Sequence, residues 1–187
     1  MRIIIFRHGE PADLSSKAVN AADFRVWIEQ YNYASISSGS HPDEGALAIA
    51  SQGKLFISSD LMRSKASAVQ LGSGESIQER SLFREAGLPY SNHALFKAKP
   101  KIWAVLLRVL WYLGYYYGSE SKSAVKERSK HAAIELITLA AKYQTVVFVG
   151  HGVFNRFLVK ELISRGFSGP RFPSSDYLGL SIYESVR

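Results

Sequence analysis

Hydrophobic positions fall into short apolar runs separated by longer stretches with helical spacing. Residues 2–6 (RIIIF) form a β-branched run, the pattern of a strand buried on both faces. Leu55 to Ser59 reads as a second such strand and Thr145 to Val149 as a third, while Leu178 to Tyr183 alternates as a half-buried strand does. A further strand is expected within 76–83. Helices are expected at 21–33, from Asp43-Glu44 to Ser51, and from Arg63 to Leu71 with a stop at Gly72-Ser73-Gly74. Ala124 to Tyr143 places Ala132, Ala133, Leu136, Ile137 and Ala140 on one helical face, and Val153 to Arg165 follows the third strand as another helix. Strands interleaved with helices predict an α/β three-layer sandwich whose mostly parallel central sheet is flanked by helices. No repeat or linker breaks the pattern, so residues 1–187 read as one domain.

One stretch stands apart. Ile102 to Tyr117 carries a single charge, Arg108, in sixteen residues and is flanked by Lys99 and Lys101. A membrane span needs about 20 apolar residues. The stretch therefore reads as a helical insertion near 98–118, packed as a lid over a pocket. A dimer contact and docking on a membrane surface through 102–117 rank behind that reading. The oligomeric state is left open.

Composition narrows the classes. With 47% hydrophobic and 21% charged residues, disorder, coiled coil and collagen-like repetition are excluded. Twenty-three basic against sixteen acidic residues give a net charge of +7, which favours anionic partners. The basic residues are dispersed and no aromatic-interleaved motif accompanies them, so nucleic acid is not expected. There is no cysteine, which removes disulfides, thiolate metal sites and a cysteine nucleophile. The apolar run Ile3 to Phe6 is only four residues long, against roughly 7–15 for a secretory signal, and a cytoplasmic protein is expected.

The chemistry gathers at strand ends. Arg7-His8-Gly9-Glu10 follows the first strand, and Gly150-His151-Gly152 follows the third. In open α/β sheets ligands bind outside the carboxyl ends of the strands, so both histidines belong at the ligand rim. Ser59-Asp60 and Arg63 follow the second strand and bring a further arginine there. Two imidazoles and two guanidiniums at one rim repel each other unless an anion lies among them. The guanidinium fork matches phosphate oxygens, and a neutral imidazole with a reference pKa of about 6.5 can attack phosphorus. These residues point to a pocket for a dianion, a phosphoryl group foremost, with one histidine as nucleophile.

These motifs, in this order, resemble the histidine phosphatase superfamily, the phosphoglycerate-mutase-like branch with an Arg-His-Gly signature. Residues 7–10 match the opening motif, Phe56 to Ala68 looks like the strand, serine, arginine and helix that follow, and Leu82 to Gly87 is similar to the segment that supplies an acidic proton donor. Gly118 to Arg128 resembles the start of the long helix, and residues 150–152 with Arg156 match the second histidine motif.

The resemblance implies a phosphoglycerate-mutase-like fold and a phosphatase for small phosphomonoesters. It implies that His8 is phosphorylated during turnover, and that Arg7, Arg63 and His151 hold the phosphoryl oxygens. Glu85 would protonate the leaving alcohol and then activate water, with Glu10 as the alternative acid. Neither metal nor cofactor is expected, because the arginines and His151 supply the positive charge. A mutase, a phosphohistidine protein phosphatase and a non-catalytic anion-binding domain are the alternatives. His41, His93 and His131 show no partner pattern and read as ordinary residues, as does Arg156 on its helix.

Overall fold

The computed structural model describes residues 1–72, 76–93 and 96–185. Six strands form one sheet: β1 (Arg2–Arg7), β2 (Leu55–Ser58), β3 (Ile77–Glu79), β4 (Thr145–Gly150), β5 (Phe167–Ser168) and β6 (Leu180–Ser185). Their order is β3-β2-β4-β1-β6-β5. β1 pairs in parallel with β4, which pairs in parallel with β2, and β2 in parallel with β3; β6 runs antiparallel to β1 and to β5. The mostly parallel sheet expected from the sequence is present, with β6 as its antiparallel member.

The apolar runs at β1, β2 and β4 arise because these central strands are covered on both faces. Alternation then divides their side chains between two cores. Ile3, Ile5, Ile57, Val146 and Phe148 meet α5 (Lys122–Tyr143) and α6 (Gly152–Ser164). Ile4, Phe6, Phe56, Val147 and Val149 meet α2 (Glu44–Ala50) and α3 (Met62–Gly72). A third, smaller cluster joins Ala21 and Phe24 to Trp103 and Leu107. It packs α1 (Phe24–Tyr33) against α4 (Pro100–Tyr112).

Several boundaries differ from the sequence expectation. The strand expected within 76–83 is only Ile77–Glu79, because a 3₁₀ turn over Ser81–Phe83 swings Phe83 into the core, where its ring lies tilted against that of Phe148 with centroids 4.8 Å apart. The helix expected over 21–33 begins at Phe24, since Asn20 Oδ1 accepts from Asp23 N (2.8 Å) and closes a turn first. The helix in the apolar stretch starts with Pro100 in its first turn and ends at Tyr112. Gly114 then adopts φ +104°, so Tyr115–Tyr117 leave the helix. The helix expected to stop at Gly72-Ser73-Gly74 runs through Gly72, and Ser73 to Glu75 lie outside the described residues.

Candidate active site

β1, β2 and β4 end at the same edge of the sheet, and each end delivers a site residue. His8 follows β1, Ser59 follows β2 and His151 follows β4. His8 N donates to Gly150 O (3.0 Å), which keeps the β1 and β4 ends side by side. Asn155 on α6 fastens them further: its Oδ1 accepts from His151 N (3.2 Å) and its Nδ2 donates to Phe6 O (3.3 Å). Gly150 permits this, since a Cβ there would lie 2.2 Å from Asn155 Oδ1.

The serines of α3 bind the same edge. Ser67 Oγ accepts from Gly9 N (2.7 Å) and donates to Arg63 O (2.6 Å). Ser64 Oγ accepts from Ser59 N (3.1 Å) and donates to Val149 O (2.7 Å). Two buried serines one helical turn apart thus hold all three strand ends and set the helix that carries Arg63.

The rings of His8 and His151 lie 5.0 Å apart. His8 is 2% exposed, Arg63 1% and His151 fully buried. His8 Nδ1 is 2.7 Å from the Gly9 carbonyl oxygen. A carbonyl only accepts, so Nδ1 carries the proton and Nε2 keeps its lone pair. Burial, with Arg63 and then Arg7 beside it, lowers the His8 pKa from 6.5 to about 3 against the opposing pull of the Gly9 carbonyl. The imidazole is neutral at any ordinary pH.

His151 is held neutral too, by burial first and then by His8 and the arginines. Its Nε2 is 2.6 Å from Ser59 Oγ, which itself accepts from Leu61 N (3.3 Å). The Ser59 hydroxyl has a donor of its own, and where it donates to Nε2 His151 carries its proton on Nδ1, which has no other partner among the described residues.

Arg63 is braced from α1: one Nη donates to Tyr31 O (2.8 Å), and the guanidinium lies 4.5 Å over the Tyr31 ring. Arg7 lies 4.2 Å over the Tyr177 ring and donates to Ser175 O. Among the described residues, Nε of Arg7, Nε of Arg63 and Nδ1 of His151 are buried donors without a hydrogen-bond partner. Three such donors around a neutral imidazole suit an oxyanion.

Glu85 follows the 3₁₀ turn and meets the start of α6. Its Oε1 accepts from Phe154 N (2.7 Å) and Ala86 N (2.9 Å), its Oε2 from Val153 N (3.1 Å). The helix N-terminus therefore positions the carboxylate. Arg7, His8, Arg63 and Glu85 all line one cleft of about 1520 Å³; His151, fully buried beside His8, does not. Glu10 lines it as well, exposed, its backbone N–H bonded to Ser40 Oγ (2.8 Å). The five residues expected from the sequence are brought to one edge of the sheet.

A family model described as histidine phosphatase superfamily (branch 1) matches residues 45–186. The chain belongs to that superfamily. The match contains the Arg63, Glu85 and His151 segments; Arg7 and His8 precede it and join the site through the geometry above.

Solved structures share the fold. The mycobacterial glucosyl-3-phosphoglycerate phosphatase in complex with VO3 superimposes with a TM-score of 0.63 at 23% identity, over 97% of this chain and 90% of that one. Phosphoserine phosphatase from Entamoeba histolytica, in complex with 3-phosphoglyceric acid, gives 0.60 at 14% identity, over 97% and 89%. A protein described as mycobacterial hydrolase 1 gives 0.60 at 22%, over 98% and 96%. No curated protein matches the chain.

Sequence reasoning missed Tyr31, Tyr177 and Asn155 in this histidine phosphatase. The tyrosines reach the arginines through α1 and a loop that folds back over the sheet edge, and no strand-end motif marks them. Asn155 carried a usable signal, since it stands four residues after His151 on the following helix. His41, beside Gln70, and His131, 3.9 Å from Glu127, lie away from the cleft.

Proposed function

We propose that this enzyme hydrolyses small phosphomonoesters through a phosphohistidine on His8. The observation that carries the reading is the His8 imidazole: neutral, with Nδ1–H held by Gly9 O and Nε2 lone-paired, beside two guanidiniums. Nε2 attacks phosphorus, the P–N bond forms and the P–O bond to the alcohol breaks. Arg7 and Arg63 bind the phosphoryl oxygens as charge spreads over them, and His151, its ring 5.0 Å from that of His8, gives the phosphoryl group on His8 a further donor where its Nδ1 carries the proton.

Glu85 gives the departing oxygen a proton. Its Oε2 accepts one longer bond where Oε1 accepts two shorter ones, so Oε2 is the oxygen with room for that proton. Water then attacks phosphorus, Glu85 takes its proton, and the P–N bond breaks to release phosphate and restore His8. Release of phosphate from p-nitrophenyl phosphate should persist in EDTA and fall to background in His8→Ala. Label trapped during turnover should be acid-labile and alkali-stable, as on histidine. Activity surviving in His8→Ala, or label on another residue, overturns the reading. Transfer to a second substrate instead, the course of a mutase, would appear as phosphoryl exchange between phosphoglycerates.

A further inference from the structure

The helix that walls the cleft has a second face. On one side of α4, Trp103 and Leu107 pack on α1 and Trp111 reaches the main core. On the other side Ile102, Val105, Leu106, Val109 and Leu113 recur at helical spacing and, among the described residues, have nothing over them; Val105 is 66% and Leu113 79% exposed. Scattered exposed apolar residues are ordinary, but a continuous stripe along one helix marks an interaction surface. Tyr115, Tyr116 and Tyr117, all exposed, extend it past Gly114.

Charge identifies the partner. Between Glu85 and Glu120 the sequence holds no acidic residue, while Lys97, Lys99 and Lys101 are basic and exposed; Arg108 is turned inward to Ala86 O and Gly87 O. Where α4 ends, Tyr112 adjoins Lys122, Arg156 and Lys160. Among the described residues none of these three forms an ion pair. Pairing this face with its own copy about a two-fold axis would set lysines against lysines. A bilayer with anionic headgroups satisfies both the apolar stripe and the cations, and tyrosine rings suit its interface.

We propose that the outer face of α4, with Tyr115–Tyr117, docks the enzyme on an anionic lipid surface. The helix lies in the interface: it has 13 residues, and among the described residues no helix is long and apolar enough to cross a membrane. Val105 and Val109 belong both to the stripe and to the cleft wall, so docking brings the mouth of the cleft to the lipid. The proposal does not depend on the reaction assigned to the site.

Sedimentation with vesicles tests it, using phosphatidylcholine with and without phosphatidylglycerol. The protein should bind the mixed vesicles and bind pure phosphatidylcholine at least about tenfold more weakly. Leu106→Glu combined with Leu113→Glu, neither of which lines the cleft, should weaken binding at least about tenfold while turnover of p-nitrophenyl phosphate stays unchanged. Should that variant not fold, Lys97→Glu on the exposed flank should weaken binding at least about fivefold. Failure to bind the mixed vesicles overturns the proposal. So does equal binding to neutral ones, binding that neither variant weakens, or a dimer in solution that the double variant dissociates.

Discussion

A buried imidazole that stays neutral has a cost that appears at low pH. His8 holds its pKa near 3 in the fold, against an ordinary value of 6.5. The folded state therefore binds fewer protons than the unfolded chain between those values, and stability falls as pH drops from about 6.5 toward about 3. Between pH 6.5 and 4.5 this one group accounts for about 2 kcal/mol, since each full proton is about 1.36 kcal/mol per pH unit. Urea denaturation at the two pH values should show wild type losing about 2 kcal/mol more than His8→Gln. Equal losses would mean that His8 is already charged in the fold. Glu85 offers a second measurement at this scale. If Oε2 delivers the proton, Glu85→Gln should lower kcat on alkyl phosphates by about 10²–10⁴. It should cost p-nitrophenyl phosphate far less, since that leaving group needs no acid and only the attack by water loses its base, whereas equal losses would assign the proton elsewhere.

At the level of elements, the site depends on three strand ends kept in register, and Asn155 spans two of them, those of β1 and β4. It is 1% exposed and serves both His151 N and Phe6 O. Asn155→Ala leaves buried backbone groups without partners, each at about 1–3 kcal/mol. It should lower stability by about that amount and reduce kcat more than it raises KM, because phosphate still meets both arginines while the histidines shift. An unchanged kcat would show that strand pairing alone aligns the edge. The sequence shows these elements unevenly, for physical reasons. β1, β2 and β4 are legible because burial on both faces demands unbroken apolar runs, and their ends carry Arg7, His8 and His151. β5, two residues long, leaves too short a pattern to read. The end of α4 was misplaced because Tyr115–Tyr117 continue its apolar character after Gly114 has turned the backbone. Tyr31 and Tyr177 gain their roles from tertiary approach, which no local spacing encodes.

Across the whole molecule, the cleft joins parts of unequal stability. Its floor belongs to the sheet and the cores on either side, whereas one wall is α1 with the N-terminal half of α4, joined by the small cluster of Ala21, Phe24, Trp103 and Leu107. Trp103 is the largest member, 1% exposed, and its indole N–H donates to Val19 O (2.8 Å). Trp111 pins the other end of α4 in the main core. Truncation to alanine at such a site costs about 3–5 kcal/mol, and the loss should fall on the wall rather than on the sheet. In Trp103→Ala, amide exchange should quicken in 24–33 and 100–107 while β1 and β4 keep their protection. The active site should register the change through one bond. Tyr31 O braces Arg63, so a loosened α1 frees that guanidinium and raises KM for p-nitrophenyl phosphate more than it lowers kcat. Exchange that quickens equally in β1 and α1 would show instead that wall and sheet unfold as one unit.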